Sequence, residues 1–479
     1  TGTRVNEDYL IEDVPYNLST YSEDFSNAAW TKLNVTVTSD EILSPDGTLS
    51  ADKLIATSGA SNKVIFQSIS AGTYTASVFA KKGEFEGLFI GTGTVGAFFN
   101  LNTYSYRTHY TSPPTSFEIE SYGNGWYRYS ITFTQSSNDN LYIGPNDNVS
   151  TTLAITGDGS KGIYIWGGQL VKGDQPKDYL KTTDRLDIPR IDYTNGEPSI
   201  LLEPSRTNLV TYSQDFSSSN WFNQQTTESD NVAISPEGLQ NASKLIEDSS
   251  NNRHIIYDSM SSSAGTVYTF SVFLKKAERN YAVLRLDDDS PIINTWFDLE
   301  SGTVGTMNSE SASIEDYGNG WYRCSVQYTA DSSIMYAVIA TATSDNVLYY
   351  QGDGTSGIFM YGAQVEAGSY ATSLIHTSGS AVTRSADVAN NAGNSDLINS
   401  TEGVLYVEAS SNYDSSHSNR ISISDGTSSN RISLEWDETT QNRIRGHINT
   451  HSILSYDAVD LSIQNKVAFK YAANDYAIW

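Results

Sequence analysis

The chain has 479 residues, a length that suggests about three domains. Its 56 Asp and Glu outnumber 29 Lys and Arg, giving a formal net charge of −27 that opposes any phosphate backbone. No stretch approaches the roughly 20 apolar residues of a membrane helix, and 11% aromatic residues is too rich for a disordered acidic chain. The single cysteine, Cys324, excludes an intramolecular disulfide framework and a multi-cysteine metal site. The chain opens at Thr1 without a Met or a signal-peptide pattern, so a fragment, a processed product or the visible part of a longer protein is expected.

Residues 1–16 read as a worn linker. The block NLSTYSEDFSNAAW at 17–30 returns as NLVTYSQDFSSSNW at 208–221. YGNGWYR occurs at 122–128 and again at 317–323, and GDGSKGIYIWGGQL at 157–170 faces GDGTSGIFMYGAQV at 352–365. Three blocks in one order mean a duplicated domain, 17–184 and 208–377, and not a solenoid of short repeats.

The period within each copy is that of a strand. Tyr74, Ala76, Val78 and Ala80 alternate with Thr75, Ser77, Phe79 and Lys81, as Tyr268, Phe270, Val272 and Leu274 do with theirs. After Trp126, the residues Tyr127, Tyr129, Ile131 and Phe133 share a face. Cys324 takes the place of Tyr129 in the second copy, which makes it a small core residue. Dense turn signals such as Pro45-Asp46-Gly47 and Gly123-Asn124-Gly125 separate these runs, and no long helical period appears. The expected fold is all-β: two duplicated antiparallel β-sandwich (jelly-roll) domains.

Residues 185–207, with three prolines, and residues 378–400, small and polar, read as linkers. Beyond Thr401 the alternation resumes in Gly403–Glu408, Arg420–Ser424 and Arg431–Trp436. Residues 401–479 are too few for a full sandwich and stop within an apparent strand, so a partial domain is expected, with more chain beyond Trp479.

Residues 188–216, residues 362–388 and the two YGNGWYR blocks together resemble the repeated carbohydrate-binding-module-like jelly rolls of tailed-phage tail fibres and related adhesins. Residues 401–479 resemble the first half of a laminin-G or concanavalin-A-like lectin domain. The resemblance implies a virion tail-fibre adhesin, extracellular and on the virion, that binds host cell-surface polysaccharide without catalysis. It also implies other virion tail or capsid proteins as partners and assembly as a homotrimer, with no nucleic acid and no membrane insertion. Two alternatives stand beside it: a structural spacer or surface decoration, and the non-catalytic modules of a secreted polysaccharide-degrading enzyme.

Candidate glycan contacts are the aromatic and cationic residues of these blocks. Trp126 and Trp321 offer ring faces for sugar stacking, with Arg128 and Arg323 beside them as hydrogen-bond donors. Packing of the indoles and pairing of the arginines with Glu120 or Glu315 is the plainer alternative. Trp296 is a further candidate. Tyr104, Tyr106, His109 and Tyr110 form a polar aromatic run where the second copy has only Glu300-Ser301-Gly302-Thr303, so they are candidates for specificity.

No cofactor is required by the sequence. Structural Ca²⁺ is a candidate at Asp287, Asp288 and Asp289 and at the turn residues Asp158 and Asp353, against the plainer reading of acidic loops and capped turns. Nearly half of the net negative charge falls in 208–377, which favours that copy as the Ca²⁺ binder. No GxSxG, HExxH or Walker sequence is present. Glu118 and Glu120 share a strand face, yet Ser313 replaces Glu118 in the second copy, and a non-enzyme is expected.

Overall fold

The computed structural model describes residues 2–14, 16–108, 112–148, 152–183, 190–289, 291–389, 398–399, 401–411, 419–437, 443–457 and 459–479. The fold is all-β, antiparallel throughout its named strands, with no α-helix among the described residues. The chain divides into two compact units: residues 14–188, and residues 1–13 together with 189–479.

Residues 14–188 form one sandwich of two six-stranded sheets. The first sheet runs Ser105–Thr108, Gly96–Asn100, Gly87–Gly91, Asp139–Asn146, Val64–Ile69, Thr31–Leu33. The second runs Ser116–Ser121, Tyr127–Gln135, Gly72–Lys81, Gly162–Lys172, Leu49–Ala56, Val35–Leu43. Strict alternation sends Tyr74, Val78, Tyr129, Ile131 and Phe133 inward to meet Leu88, Ile90 and Phe99, with Phe25 and Trp30 closing the core.

The second copy repeats this order strand for strand. Its first sheet runs from Phe222–Gln224 through His254–Ser261, Ile334–Ala342, Tyr281–Asp287 and Asn294–Asp298 to Thr303–Met307. Its second sheet centres on Val267–Lys276, between Gly357–Ala367 and Trp321–Thr329. Cys324 is fully buried among Phe270, Val272, Phe297 and Val326, and burial raises its thiol pKa well above the ordinary value.

The YGNGWYR block is a backbone device. Gly123, Asn124 and Gly125 have φ of 77°, 53° and 80°, and Gly318, Asn319 and Gly320 have 75°, 53° and 77°. Three successive left-handed residues admit little besides Gly and Asn. The tight loop is closed by Trp126 N–H donating to Gly123 O at 2.8 Å and Tyr122 N–H to Trp126 O at 2.9 Å, and the second copy matches it.

Residues 3–13, read from sequence as linker, form a hairpin of Thr3–Val5 and Ile11–Asp13. It packs with the segment after Pro189 onto the second sandwich. Buried Arg190 donates to Thr3 O at 3.0 Å and pairs with Glu203 at 2.7 Å and with Asp387. Val5 N–H donates to Asp192 Oδ2 at 2.9 Å, and Ile11 N–H to Pro236 O at 3.0 Å. Val5 and Ile11 are buried with Phe273, Trp321 and Leu374, and charge-assisted hydrogen bonds order the polar remainder.

Residues 401–479 form a smaller sandwich, with Glu402–Ala409, Asn465–Ala472 and Ala477–Ile478 facing a four-stranded meander of Asn419–Ser424, Arg431–Asp437, Arg443–Ile448 and His451–Tyr456. Leu434, Trp436, Ile444, Leu461, Val467 and Phe469 fill it.

Asp258 is an acid on the core side of the second sandwich. It accepts only Ser259 N–H among the described contacts, and burial raises its pKa to about 6. A folded pKa above the unfolded value means that stability falls as pH rises from about 4 through 6. Asp258→Asn is therefore expected to be increasingly more stable than the parent across that window, by about 1–3 kcal/mol at pH 7.5. Thermal unfolding at pH 4 and pH 7.5 checks this, and a constant difference between the two would refute it.

Candidate functional site

The two repeated tryptophans are not available to a sugar. Trp126 and Trp321 are 2% and 1% exposed. Trp126 Nε1–H donates to Leu43 O at 3.0 Å and Trp321 Nε1–H to Ile234 O at 2.9 Å. Trp126 packs with Phe79, Trp166 and Ala51 on the outer side of the second sheet, and Trp321 with Phe273, Tyr361 and Ala242. Both indoles are structural, because the left-handed loop folds them back across their own sheet.

Arg128 and Arg323 follow them into burial. Arg128 donates to Ser77 Oγ and to Lys177 O at 2.6 Å, lies 5.7 Å from the Phe79 ring, and stands 3.9 Å from Glu120. Arg323 donates to Ser271 Oγ at 3.0 Å and lies 5.3 Å from the Phe273 ring. Each guanidinium caps an aromatic ring inside its own module. Trp296 is likewise 4% exposed, packed with Val283, Val338 and Ala340, and donates to Val347 O at 3.3 Å. These five glycan assignments are corrected by burial.

The acidic candidates are occupied by local hydrogen bonds. Asp158 accepts Ser160 N–H and Lys161 N–H at 2.9 and 3.0 Å, and these bonds hold its pKa far below the ordinary carboxyl value. Asp353 caps Thr355 and Ser356 in the same way. Buried Asp287 accepts Ile293 N–H at 2.7 Å and Asp289 N–H at 2.9 Å, while Asp289 pairs outward with Arg285 at 3.0 Å. Asp288 turns towards Asp331. Among the described residues no three His, Cys, Asp or Glu side chains converge as a metal site.

Tyr104 and Tyr106 behave differently. They are 43% and 41% exposed, and Phe117, at 40%, joins them. Tyr104 stacks on Tyr127 with ring centroids 4.0 Å apart at 29°, and Tyr106 packs against Phe117. A hydrogen bond to Tyr127 is the first cause raising the Tyr104 phenol pKa. His109 and Tyr110 lie outside the described residues.

The strand order explains the strip. Ser105–Thr108 ends the first sheet and Ser116–Ser121 ends the second, so the two edges frame an open seam. Tyr106 is in register with Phe99, and Phe117 with Ile131, so both have core parity but stand at the rim. The strip continues inward through Tyr129, whose ring lies 5.1 Å from Phe99. Sequence reading reached the two tyrosines and placed Tyr127 in the core. It missed Phe117, whose signal was its alternation with Ile119 on an edge strand.

Among the described residues the second sandwich has no such strip at this seam. Gly302 N–H donates to Asp298 O at 2.9 Å as Tyr104 N–H does to Asn100 O, which makes the two positions equivalent. Val304 and Ala312 replace Tyr106 and Phe117 by the same register. The φ of Gly302 is 66° and that of Tyr104 is 56°. A left-handed conformation suits glycine and costs a tyrosine roughly 1–2 kcal/mol. The first sandwich therefore carries backbone strain at a residue that presents an exposed ring.

No family model and no curated protein matches this chain. Among solved structures, the N-terminal CBM22-1–CBM22-2 tandem domain of Paenibacillus barcinonensis Xyn10C is similar at 11% identity, over 74% of this chain and 98% of that one, with a TM-score of 0.25. The CBM22-1–GH10 modules of Clostridium thermocellum endo-1,4-β-D-xylanase 10B, complexed with xylohexaose, match at 15% identity over 36% of this chain and 30% of that one, with a TM-score of 0.22. The plant receptor-like kinase ANX2 matches at 8% identity over 74% and 94%, with a TM-score of 0.20. At such scores the sandwich fold rests on the chain's own strand order and not on these neighbours.

Tyr104→Gly is expected to leave stability within about 1 kcal/mol of the parent, because relief of the left-handed strain offsets loss of the stack on Tyr127. Calorimetric unfolding of the full chain tests this, and a loss above about 3 kcal/mol would mark the ring as a core element.

Proposed function

We propose that this chain is a non-catalytic glycan-binding protein whose first sandwich stacks sugar rings on the strip of Tyr104, Tyr106, Phe117 and Tyr127. The observation that carries this is the exposed aromatic strip held by a strained Tyr104 where the twin has Gly302. Aromatic faces pair with the apolar C–H faces of pyranoses, and the neighbouring hydroxyls of Thr103 and Ser105, 2.8 Å apart and exposed, suit the sugar's polar rim. A seam this shallow binds weakly by itself, and effective affinity comes from linking several such contacts on one polymer.

The setting follows from the sequence resemblance at 188–216, 362–388 and the two YGNGWYR blocks. In that setting the chain is a virion tail adhesin, extracellular, acting as a homotrimer on host cell-surface polysaccharide beside other tail proteins. The same seam would serve equally in a binding module that accompanies a polysaccharide-degrading enzyme.

A glycan array probed with the full chain, with and without Ca²⁺, tests the reading. Binding is expected for the parent and a loss of roughly tenfold or more for Tyr104→Ala/Tyr106→Ala, since two stacked rings are worth about 1–3 kcal/mol together. Failure of the parent to bind any glycan would favour a spacer, and release of sugar products would overturn the non-catalytic assignment.

A further inference from the structure

All four arginines of residues 401–479 lie on strands of the one meander sheet: Arg420, Arg431, Arg443 and Arg445. The register puts them on a single face. Arg420 opposes Glu435, which opposes Arg445, and Ser422 opposes Ser433, which opposes His447. Arg431 precedes Ser433 by two and Arg443 precedes Arg445 by two, so both share this parity. The other face carries Ile421, Ile423, Ile432, Leu434, Trp436, Ile444 and Ile448, several of which form the core. Core burial of the apolar face thus forces the arginines to the outer side.

That face is built around a buried carboxylate. Glu435 is 5% exposed and pairs with Arg420 and with Arg445 at 3.1 Å, while His447 Nε2 lies 2.7 Å from it. Arg420 reaches Glu435 through Nη2, and a guanidinium has five N–H donors. Arg420 and Arg445 keep 34% and 23% of their side chains exposed. Ser433 Oγ is fully buried with no hydrogen-bond partner, next to His447 in register. Burial is the first cause lowering the His447 pKa; Glu435 opposes it, and Arg420, Arg445 and Arg431 lower it further. A positive potential at the sheet centre accounts for the arginine effects. The only other acid on these four strands is Asp437, opposite Arg443 in register.

We infer that this face of the meander sheet is a binding site for a carboxylate-bearing polysaccharide, with Arg420, Arg431 and Arg445 as the groups that meet its uronate oxygens. The site is distinct from the aromatic seam and does not rest on it. Arginine is suited to carboxylates because its planar fork matches two oxygens, and Arg420 and Arg445 already hold one carboxylate, Glu435, each through Nη2. Repulsion from the rest of this acidic chain is screened beyond about 8 Å at physiological ionic strength, so a local cluster acts on its own.

Retention of the full chain on immobilised polygalacturonate, dextran sulfate, neutral dextran and duplex DNA at 0.05 and 0.15 M salt tests this. Retention on polygalacturonate, little on neutral dextran or DNA, and at least a tenfold loss in Arg420→Gln/Arg431→Gln are expected. Tyr104→Ala/Tyr106→Ala should leave polygalacturonate retention unchanged. Preference for dextran sulfate over polygalacturonate would overturn the carboxylate assignment, and equal retention on DNA would overturn the site as a specific one. If the double arginine variant unfolds, Glu435→Gln decides. Removing the competing anion should preserve or strengthen retention, and lost retention by a folded Glu435→Gln chain would overturn the proposal.

Discussion

One indole N–H in each sandwich holds the second sheet from its outer side. Trp126 reaches the carbonyl of Leu43, and Trp321 that of Ile234, spanning from the YGNGWYR loop to the last strand of the same sheet. Three consecutive left-handed residues aim each indole there. A buried N–H without an acceptor would be costly, so loop, ring and edge strand are constrained together. The consequence for function is direct: the outer side of this sheet is filled, and a ligand must be met elsewhere.

One such place is the seam where the two sheets end side by side. In the first sandwich large rings occupy it, and in the second glycine, valine and alanine replace three of them, with Tyr322 at the place of Tyr127. Duplication preserved the twelve-strand framework because its cores and loops depend on it, while the rim was free to diverge. A tyrosine at φ 56° is hard to explain by fold alone when the twin solves the same turn with Gly302 at 66°.

The linkers gain structure by a different route. Residues 3–13 and the segments around Arg190, Glu203 and Asp387 have too few apolar side chains for a core of their own; Val5 and Ile11 join a cluster with Phe273 and Trp321, and a buried guanidinium ties the polar parts together. Removing one member would leave an uncompensated buried charge, which is far costlier than losing a surface pair. Composition marks such segments as loops, and only the partners brought together from distant residues turn them into structure.

Period-two alternation by itself determined the all-β class and the core position of Cys324, because parity in a strand dictates which side chains are buried together, and the three repeated blocks determined the duplication. Parity within one strand related only Arg443 to Arg445; the register between strands was needed to bring Arg420, Arg431, Arg443 and Arg445 to one face. The repeated tryptophans show the limit of such reading. Conserved spacing between the copies signalled importance, but whether an outward-parity indole meets solvent or its own neighbouring hairpin depends on loop geometry. The seam shows the converse: Tyr106 and Phe117 have inward parity and would be read as core. Only the tertiary structure, by making their strands the last in each sheet, leaves them at the rim where water and a ligand can reach them.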